Sequence, residues 1–237
     1  AKNIRDLGGL PSNFGEITRF ERIYRGDALS RLTDLGLRSL AGLNLKSVFD
    51  MRHEDEIKRA PDRLPLTTPL NYVRCGFFPS GSHEMFEKVN NGSIGPDDAF
   101  NIMKHNYARF PYEHAIEFAA IIQRLLTPTS MPCLIHCTSG KDRTGLISAF
   151  ILLSVGVPLD AVVVDYEMTE GARQPVDLFD KQARPDTVDT IMSAKADYIL
   201  SAFDSINATS GSFEKYLKEW LGIEVTKQEI LKELLLT

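Results

Sequence analysis

A cysteine at the end of a short apolar run, PCLIHC, is followed six positions later by an arginine at the head of a second apolar segment, with the polar turn TSGKD between them. This stretch, His136 to Gly145, predicts a buried strand, a tight loop and a helix from about Arg143 to Val155. Successive backbone N–H groups in such a loop converge on its centre, and the helix directs its positive end there, which suits a tetrahedral dianion. The same field acts on sulfur. A free thiol titrates near 8.5, and a helix N-terminus with a neighbouring guanidinium lowers that by several units, so Cys137 is expected to be a thiolate nucleophile at neutral pH. Arg143 offers a planar fork matched to two oxygens of the anion. Thr138, Ser139, Gly140, Lys141, Asp142 and Arg143 are the expected anion-binding residues.

Other loops fail on their letters. A Walker loop needs Gly five positions before Gly140, and here Gly140-Lys141 runs into Asp. Zinc needs more ligands: only His136 lies near Cys133 and Cys137, and adjacent strand residues point oppositely, so no metal is expected. Cys75 and Cys133 read as buried structural thiols, with Cys133 near enough to trap an oxidised Cys137. His136 reads as an orienting partner of the loop backbone. Lys141 is either a solvated loop charge or a contact for polyanionic lipid headgroups.

The elements that must position this loop follow from patterning. Thr33 caps a helix bearing Leu37 and Leu40, and Leu45 to Asp50 is a short strand running into the charged stretch MRHEDE. Apolar spacing gives a helix from Tyr112 to Leu126, closed by Pro128 and Pro132. Helices are also expected over Leu159–Glu170, Asp186–Asn207 and Ser212–Leu221, with a last one opened by a Thr226/Glu229 capping box and turning Ile230, Leu234 and Leu235 inward. Many helices around few strands give an α/β domain, a small and largely parallel sheet with a helical C-terminal half. Pro79 to Asp98 reads as a surface excursion, and residues 79–106 as a candidate lid or insertion within one domain spanning 1–237.

Composition is compatible with that reading. The 237 residues are 43% hydrophobic and 25% charged, enough apolar content for a core. A net charge of -5 argues against nucleic acid or an anionic membrane surface as partner. Three cysteines are too few and odd in number for a disulfide framework, which favours a reducing compartment. No apolar run is long enough for membrane insertion. Export stays open as the alternative to the cytoplasm.

The loop HCTSGKDRTG resembles the signature of the bacterial and fungal tyrosine phosphatases of the His-Cys-x-x-Gly-Lys-Asp-Arg-Thr-Gly type, a family that includes secreted mycobacterial and listerial enzymes. NIRDLGG (3–9), IYRGDALSRLT (23–33), VFDMR (48–52), DYEMT (165–169) and GSFEKYL (211–217) extend the resemblance nearly end to end. It implies a protein-tyrosine-phosphatase-like fold, a phosphocysteine intermediate, no cofactor, and phosphorylated protein or phosphoinositide substrates, with activity reaching phosphoserine and phosphothreonine. Asp-Met-Arg stands where the family usually has Asp-Leu-Arg. Classical relatives carry their general acid on a Trp-Pro-Asp loop, and the single Trp220 lies in a C-terminal helix. Resemblance and position therefore nominate Asp142 as the acid, with Asp50 as the alternative; each could instead be structural, Asp142 as an acceptor of loop N–H bonds and Asp50 as an ion-pair partner of Arg52. Thr144 is placed to hydrogen-bond the departing sulfur. Rhodanese-type sulfur transfer, arsenate reduction and a catalytically dead phosphate-binding module are the competing readings. The Gly-Lys-Asp-Arg-Thr-Gly continuation disfavours the first two, and the intact Cys137 and Arg143 disfavour the third.

Overall fold

The computed structural model describes residues 1–65, 69–173 and 179–237. Five short strands form one sheet in the order β1-β2-β5-β3-β4. They are β1 (Arg5–Asp6), β2 (Ile23–Gly26), β3 (Ser47–Asp50), β4 (Asn71–Arg74) and β5 (Cys133–His136). Only β1 runs antiparallel to its neighbour; the other pairings are parallel. The three central strands are buried at every position, which is why β3 and β5 read as mainly apolar rather than as alternating runs.

Eleven α-helices among the described residues surround this sheet: α1 (Asp34–Gly42), α2 (Glu54–Arg59), α3 (Ser82–Asn90), α4 (Pro96–Glu113), α5 (Ala115–Leu125), α6 (Asp142–Ser154), α7 (Leu159–Glu167), α8 (Pro185–Met192), α9 (Ala196–Ser210), α10 (Phe213–Glu219) and α11 (Val225–Leu235). None is long and apolar enough to cross a membrane. Helix α6 is buried at eleven of its positions, as expected of an element enclosed by the sheet and by other helices. The larger core gathers Phe118, Ile135, Leu146, Phe150, Tyr198 and Tyr216 on one face of the sheet. A smaller cluster of Leu29, Leu40, Val48 and Leu134 packs on the other.

Several sequence expectations change. Thr33 caps α1 as expected, its hydroxyl accepting from the Gly36 N–H. The last helix starts earlier: Glu224 is its N-cap, no side chain caps it, and Thr226 lies inside the first turn, so the Thr226/Glu229 box does not form. Ile230 is 41% exposed, and Leu231 takes the buried position. The helix expected over 186–207 is two, α8 and α9, separated at Ser193-Ala194-Lys195. The break is held by tertiary bonds, the Ala194 N–H donating to Glu170 Oε2 at 2.8 Å and Ser193 Oγ to the Asp189 carbonyl at 2.8 Å. The stretch from Pro79 to Asp98 is no loose excursion but α3 and the start of α4, with Met85, Val89 and Ala99 buried.

Candidate active site

The loop stands at the carboxyl ends of parallel strands, where α/β sheets place their ligand sites. Strand β5 delivers Cys137, which is 1% exposed, and α6 begins at Asp142. Gly140 turns the chain with a φ of +70°, and a Cβ there would lie 2.6 Å from the Gly26 carbonyl oxygen and 2.7 Å from Asn3 Nδ2. Only glycine suits both the left-handed backbone and that space.

Behind the loop, the segments scattered along the sequence meet. Asn3 Nδ2 donates to the carbonyls of Ser139 and Gly140, both at 3.3 Å, and Arg25 Nη2 donates to the Gly140 carbonyl at 2.9 Å. These bonds draw loop carbonyls outward. Asp165 receives both Arg25 and Arg5, the latter at 2.8 Å. The backbone N–H of Asn3 donates to Asp27 Oδ1 at 3.0 Å. Burial would raise the Asp165 carboxyl, but the two guanidiniums outweigh it and hold it below its ordinary range.

Arg143 is anchored in a way the sequence did not announce. Its Nη1 donates to Glu56 Oε2 at 2.7 Å and to the carbonyls of Met51 and Phe77, each at 2.9 Å. Its Nη2 donates to Glu56 Oε1 at 2.8 Å and to Thr138 Oγ1 at 3.3 Å. Burial depresses the Arg143 guanidinium, but the Glu56 hydrogen bonds and the Cys137 sulfur outweigh it and raise its pKa. Glu56 closes a capping box with His53 in α2 and also accepts from the Thr138 hydroxyl. Glu56 fixes the plane of the guanidinium through Nη1 and Nη2, and the Arg143 Nε–H is left without an acceptor among the described residues. Glu56→Gln should therefore raise KM for an aryl phosphate, with kcat/KM falling roughly ten- to hundredfold as the fork loses alignment. A lowered KM would instead mark Glu56 as a competitor of the phosphate.

Asp50 is fully buried away from the cavity, in the ion pair with Arg52 that the sequence left as its structural alternative. Arg52 Nη2 reaches Asp50 Oδ2 at 2.7 Å and Asp62 Oδ1 at 2.9 Å, and Tyr72 donates its hydroxyl to Asp50. Burial pushes the Asp50 carboxyl up, but bonds from Arg52, the nearby His136 and Tyr72 prevail and hold it below its ordinary range. His136 lies under the same cluster. Its Nδ1 faces the Cys137 carbonyl at 3.3 Å, the orienting contact expected of it, and its Nε2 is 3.1 Å from Asp62 Oδ2 without a hydrogen bond's alignment. Asp50, Asp62 and His136 are close enough to share an ion, but the Arg52 guanidinium already bonds both carboxylates and serves as their counter-cation.

Lys141 is not a solvated charge. It is 2% exposed, and its ammonium donates to the carbonyls of Ile191 and Ser193, tying the loop to the α8–α9 break. Among the described residues Thr144 Oγ1 is buried without a hydrogen-bond partner. Cys133 sits four strand positions from Cys137, about 13 Å away at strand rise, too far to trap it. Burial raises the Cys133 thiol, and pushes that of Cys75 up to about 12.

Asp142 lines a cavity of about 450 Å³ together with Thr138, Ser139, Lys141 and Arg143. Its walls are largely apolar, with Phe78, Met85, Phe86, Met103, Phe110 and Met192 joined by His53, Arg59, His83 and Asn106. An aromatic or acyl body fits there with its anionic end on the loop.

Four buried or half-buried carboxylates, Asp50, Asp62, Glu56 and Asp165, share one pattern: burial raises each, and cationic or hydrogen-bonding neighbours lower it further. A carboxylate lowered on folding stabilises above its unfolded pKa and loses that contribution as pH falls through the native value. The melting temperature should hold near neutrality and drop once pH passes below about 4. Calorimetry between pH 7 and 3 measures this, and a melting temperature that climbs on acidification would contradict it.

The profile of the tyrosine phosphatase family matches residues 1–237. The triple specificity protein phosphatase PtpB of Mycobacterium tuberculosis is 29% identical, over 92% of this chain and 91% of that one. A putative tyrosine-protein phosphatase of Cupriavidus necator is 27% identical, over 95% of this chain and 83% of its own. Among solved structures, the core catalytic domain of the PP-IP phosphatase SIW14 from S. cerevisiae aligns with a TM-score of 0.40 and 18% identity, over 87% of this chain and 94% of that one. With a match along its whole length, and with its distant segments meeting behind a single cysteine loop, this chain belongs to the tyrosine phosphatase family and is a phosphatase of the protein-tyrosine-phosphatase type.

Proposed function

We propose that the chain hydrolyses phosphomonoesters through a phosphocysteine at Cys137, acting on phosphotyrosine and also on phosphoserine, phosphothreonine and phosphoinositides. The observation that carries this is the loop with Cys137 at its start and Arg143 anchored at its end, on the floor of an apolar-walled cavity. The Cys137 thiolate attacks phosphorus, forming the S–P bond as the P–O bond to the leaving group breaks. Asp142 gives its proton to the leaving oxygen. Water then attacks the phosphocysteine, losing a proton to Asp142 while the sulfur departs as thiolate. Loop amides from Thr138 to Arg143 and the Arg143 fork hold the equatorial oxygens in both steps, and Thr144 donates to the departing sulfur. Within one domain, residues 79–106 cover the cavity. The relative's name, triple specificity protein phosphatase, supports the breadth of substrate.

Turnover of an aryl phosphate, measured beside thiosulfate and arsenate and repeated in EDTA, tests this. Phosphate release insensitive to the chelator is expected. Turnover of thiosulfate or arsenate alone would assign the loop to sulfur or arsenic chemistry, and binding without turnover would make it a docking module.

A further inference from the structure

Asp142 opens α6 beside Arg143, yet its carboxylate is held by side chains of other helices. Tyr107, on α4, donates its hydroxyl to Asp142 Oδ1 at 2.8 Å, and the Tyr166 hydroxyl of α7 lies 2.7 Å from that of Tyr107. Both phenols are fully buried. Burial first, and the Asp142 charge second, push both well above the usual phenol value, so each stays a neutral donor. Tyr107 has one proton and spends it on the carboxylate, so Tyr166 must donate to Tyr107. The chain therefore runs one way, from Tyr166 through Tyr107 to Asp142. Lys141 Nζ is 3.4 Å from the same Oδ1. Among the described residues no group bonds Oδ2, although Asp142 lines the cavity.

We propose that Tyr107, backed by Tyr166, is a positioning residue for the proton donor: by holding Oδ1 it assigns the mobile proton to Oδ2 and keeps that oxygen directed into the cavity. This rests on Asp142 being the general acid. The carboxylate can rotate about its terminal torsion, which is broad for Asp, and an unanchored carboxyl would present either oxygen. Two anchors on Oδ1 remove that freedom. The groups facing Asp142 are Lys141, Arg143, Tyr107, Tyr166 and Tyr198. Of these, Tyr107 hydrogen-bonds the carboxylate while its ring packs on Phe110 and Tyr198, so deleting the hydroxyl alone leaves the packing in place.

The test is Tyr107→Phe in single turnover, across phosphate esters from alkyl to nitrophenyl. Alkyl phosphate cleavage should slow roughly ten- to hundredfold, the worth of a hydrogen bond to a charged group. Nitrophenyl phosphate should stay near wild type. A uniform loss across leaving groups would reduce Tyr107 to packing and overturn the proposal. Tyr166→Phe, which leaves Tyr107 in place, should show the same graded pattern more weakly and serves if Tyr107→Phe does not fold; an ungraded loss there overturns the proposal as well. In an Asp142→Asn background, Tyr107→Phe should add no further leaving-group dependence, because its effect runs through that carboxylate. If Asp142→Asn is itself ungraded, the acid assignment fails and this inference with it. If Asp142→Asn is graded while Tyr107→Phe behaves as wild type, the positioning role alone is overturned.

Discussion

Cys137→Ser should abolish turnover, by about 10⁴-fold or more, while leaving the protein folded and able to bind phosphate. A serine hydroxyl has nearly the shape of the thiol but stays protonated at neutral pH, so the attack on phosphorus is lost. The groups that hold the anion are untouched. The carbonyls of Ser139 and Gly140 remain bonded to Asn3 and Arg25, which keeps the loop in its conformation. Arg143 remains fixed by Glu56, Met51 and Phe77. Isothermal titration with inorganic phosphate, beside a rapid-quench assay for acid-stable phosphoenzyme, measures both halves. Phosphoenzyme formation by Cys137→Ser at a rate near wild type would remove Cys137 from the nucleophile's role. Loss of phosphate binding together with turnover would mean that the sulfur itself shapes the loop.

The second large effect is expected at Asp142, with Asp50 as the contrast. Asp142 lines the cavity and has an oxygen without a partner among the described residues, whereas Asp50 is fully buried with both oxygens bonded to Arg52. An alkoxide leaving group needs a proton and a nitrophenolate can depart without one, so Asp142→Asn should slow alkyl phosphates about a hundred- to ten-thousandfold and activated aryl phosphates far less. Asp50→Asn should behave differently. It leaves the Arg52 guanidinium buried beside one carboxylate fewer, a change worth about 3 kcal/mol or more of stability, with no gradation by leaving group. Denaturant unfolding reads the stability arm, and single turnover over a leaving-group series reads the other. If the graded loss falls on Asp50→Asn instead, the two carboxylates exchange roles.

The chemistry of this protein was legible because it is local. Strand, turn and helix between Cys133 and Ser154 lie in one continuous segment, and the same few residues that set the backbone path also carry the charge. Strands β3 and β5 were readable for a related reason: parallel strands buried on both faces are mainly apolar along their length. The peripheral strands β1 and β4 carry no such run. Arg5–Asp6 and Asn71–Arg74 are polar or half-exposed, and only pairing with β2 and β3 makes them strands.

Other features were decided only when distant segments packed. The split between α8 and α9 has no glycine or proline to mark it. It exists because Glu170 takes the Ala194 N–H, and the carbonyls it exposes at Ile191 and Ser193 then receive Lys141. Resemblance picked out NIRDLGG, IYRGD and DYEMT as segments, but that they form one brace behind Gly140 depends on contacts spanning more than a hundred residues. Glu56 lay within the charged run MRHEDE, and nothing in the sequence singled out Tyr107; neither has a local signal of function, because each acts on a group some 35 to 87 positions away. The sequence by itself determined the strand, loop and helix that carry Cys137 and Arg143, and the class of fold, since those follow from residue type and spacing within one turn of chain. Tertiary packing decided which carboxylate faces the cavity and which is buried in an ion pair, because an aspartate's role depends on what surrounds it, and the residues surrounding Asp50 and Asp142 come from elsewhere in the chain.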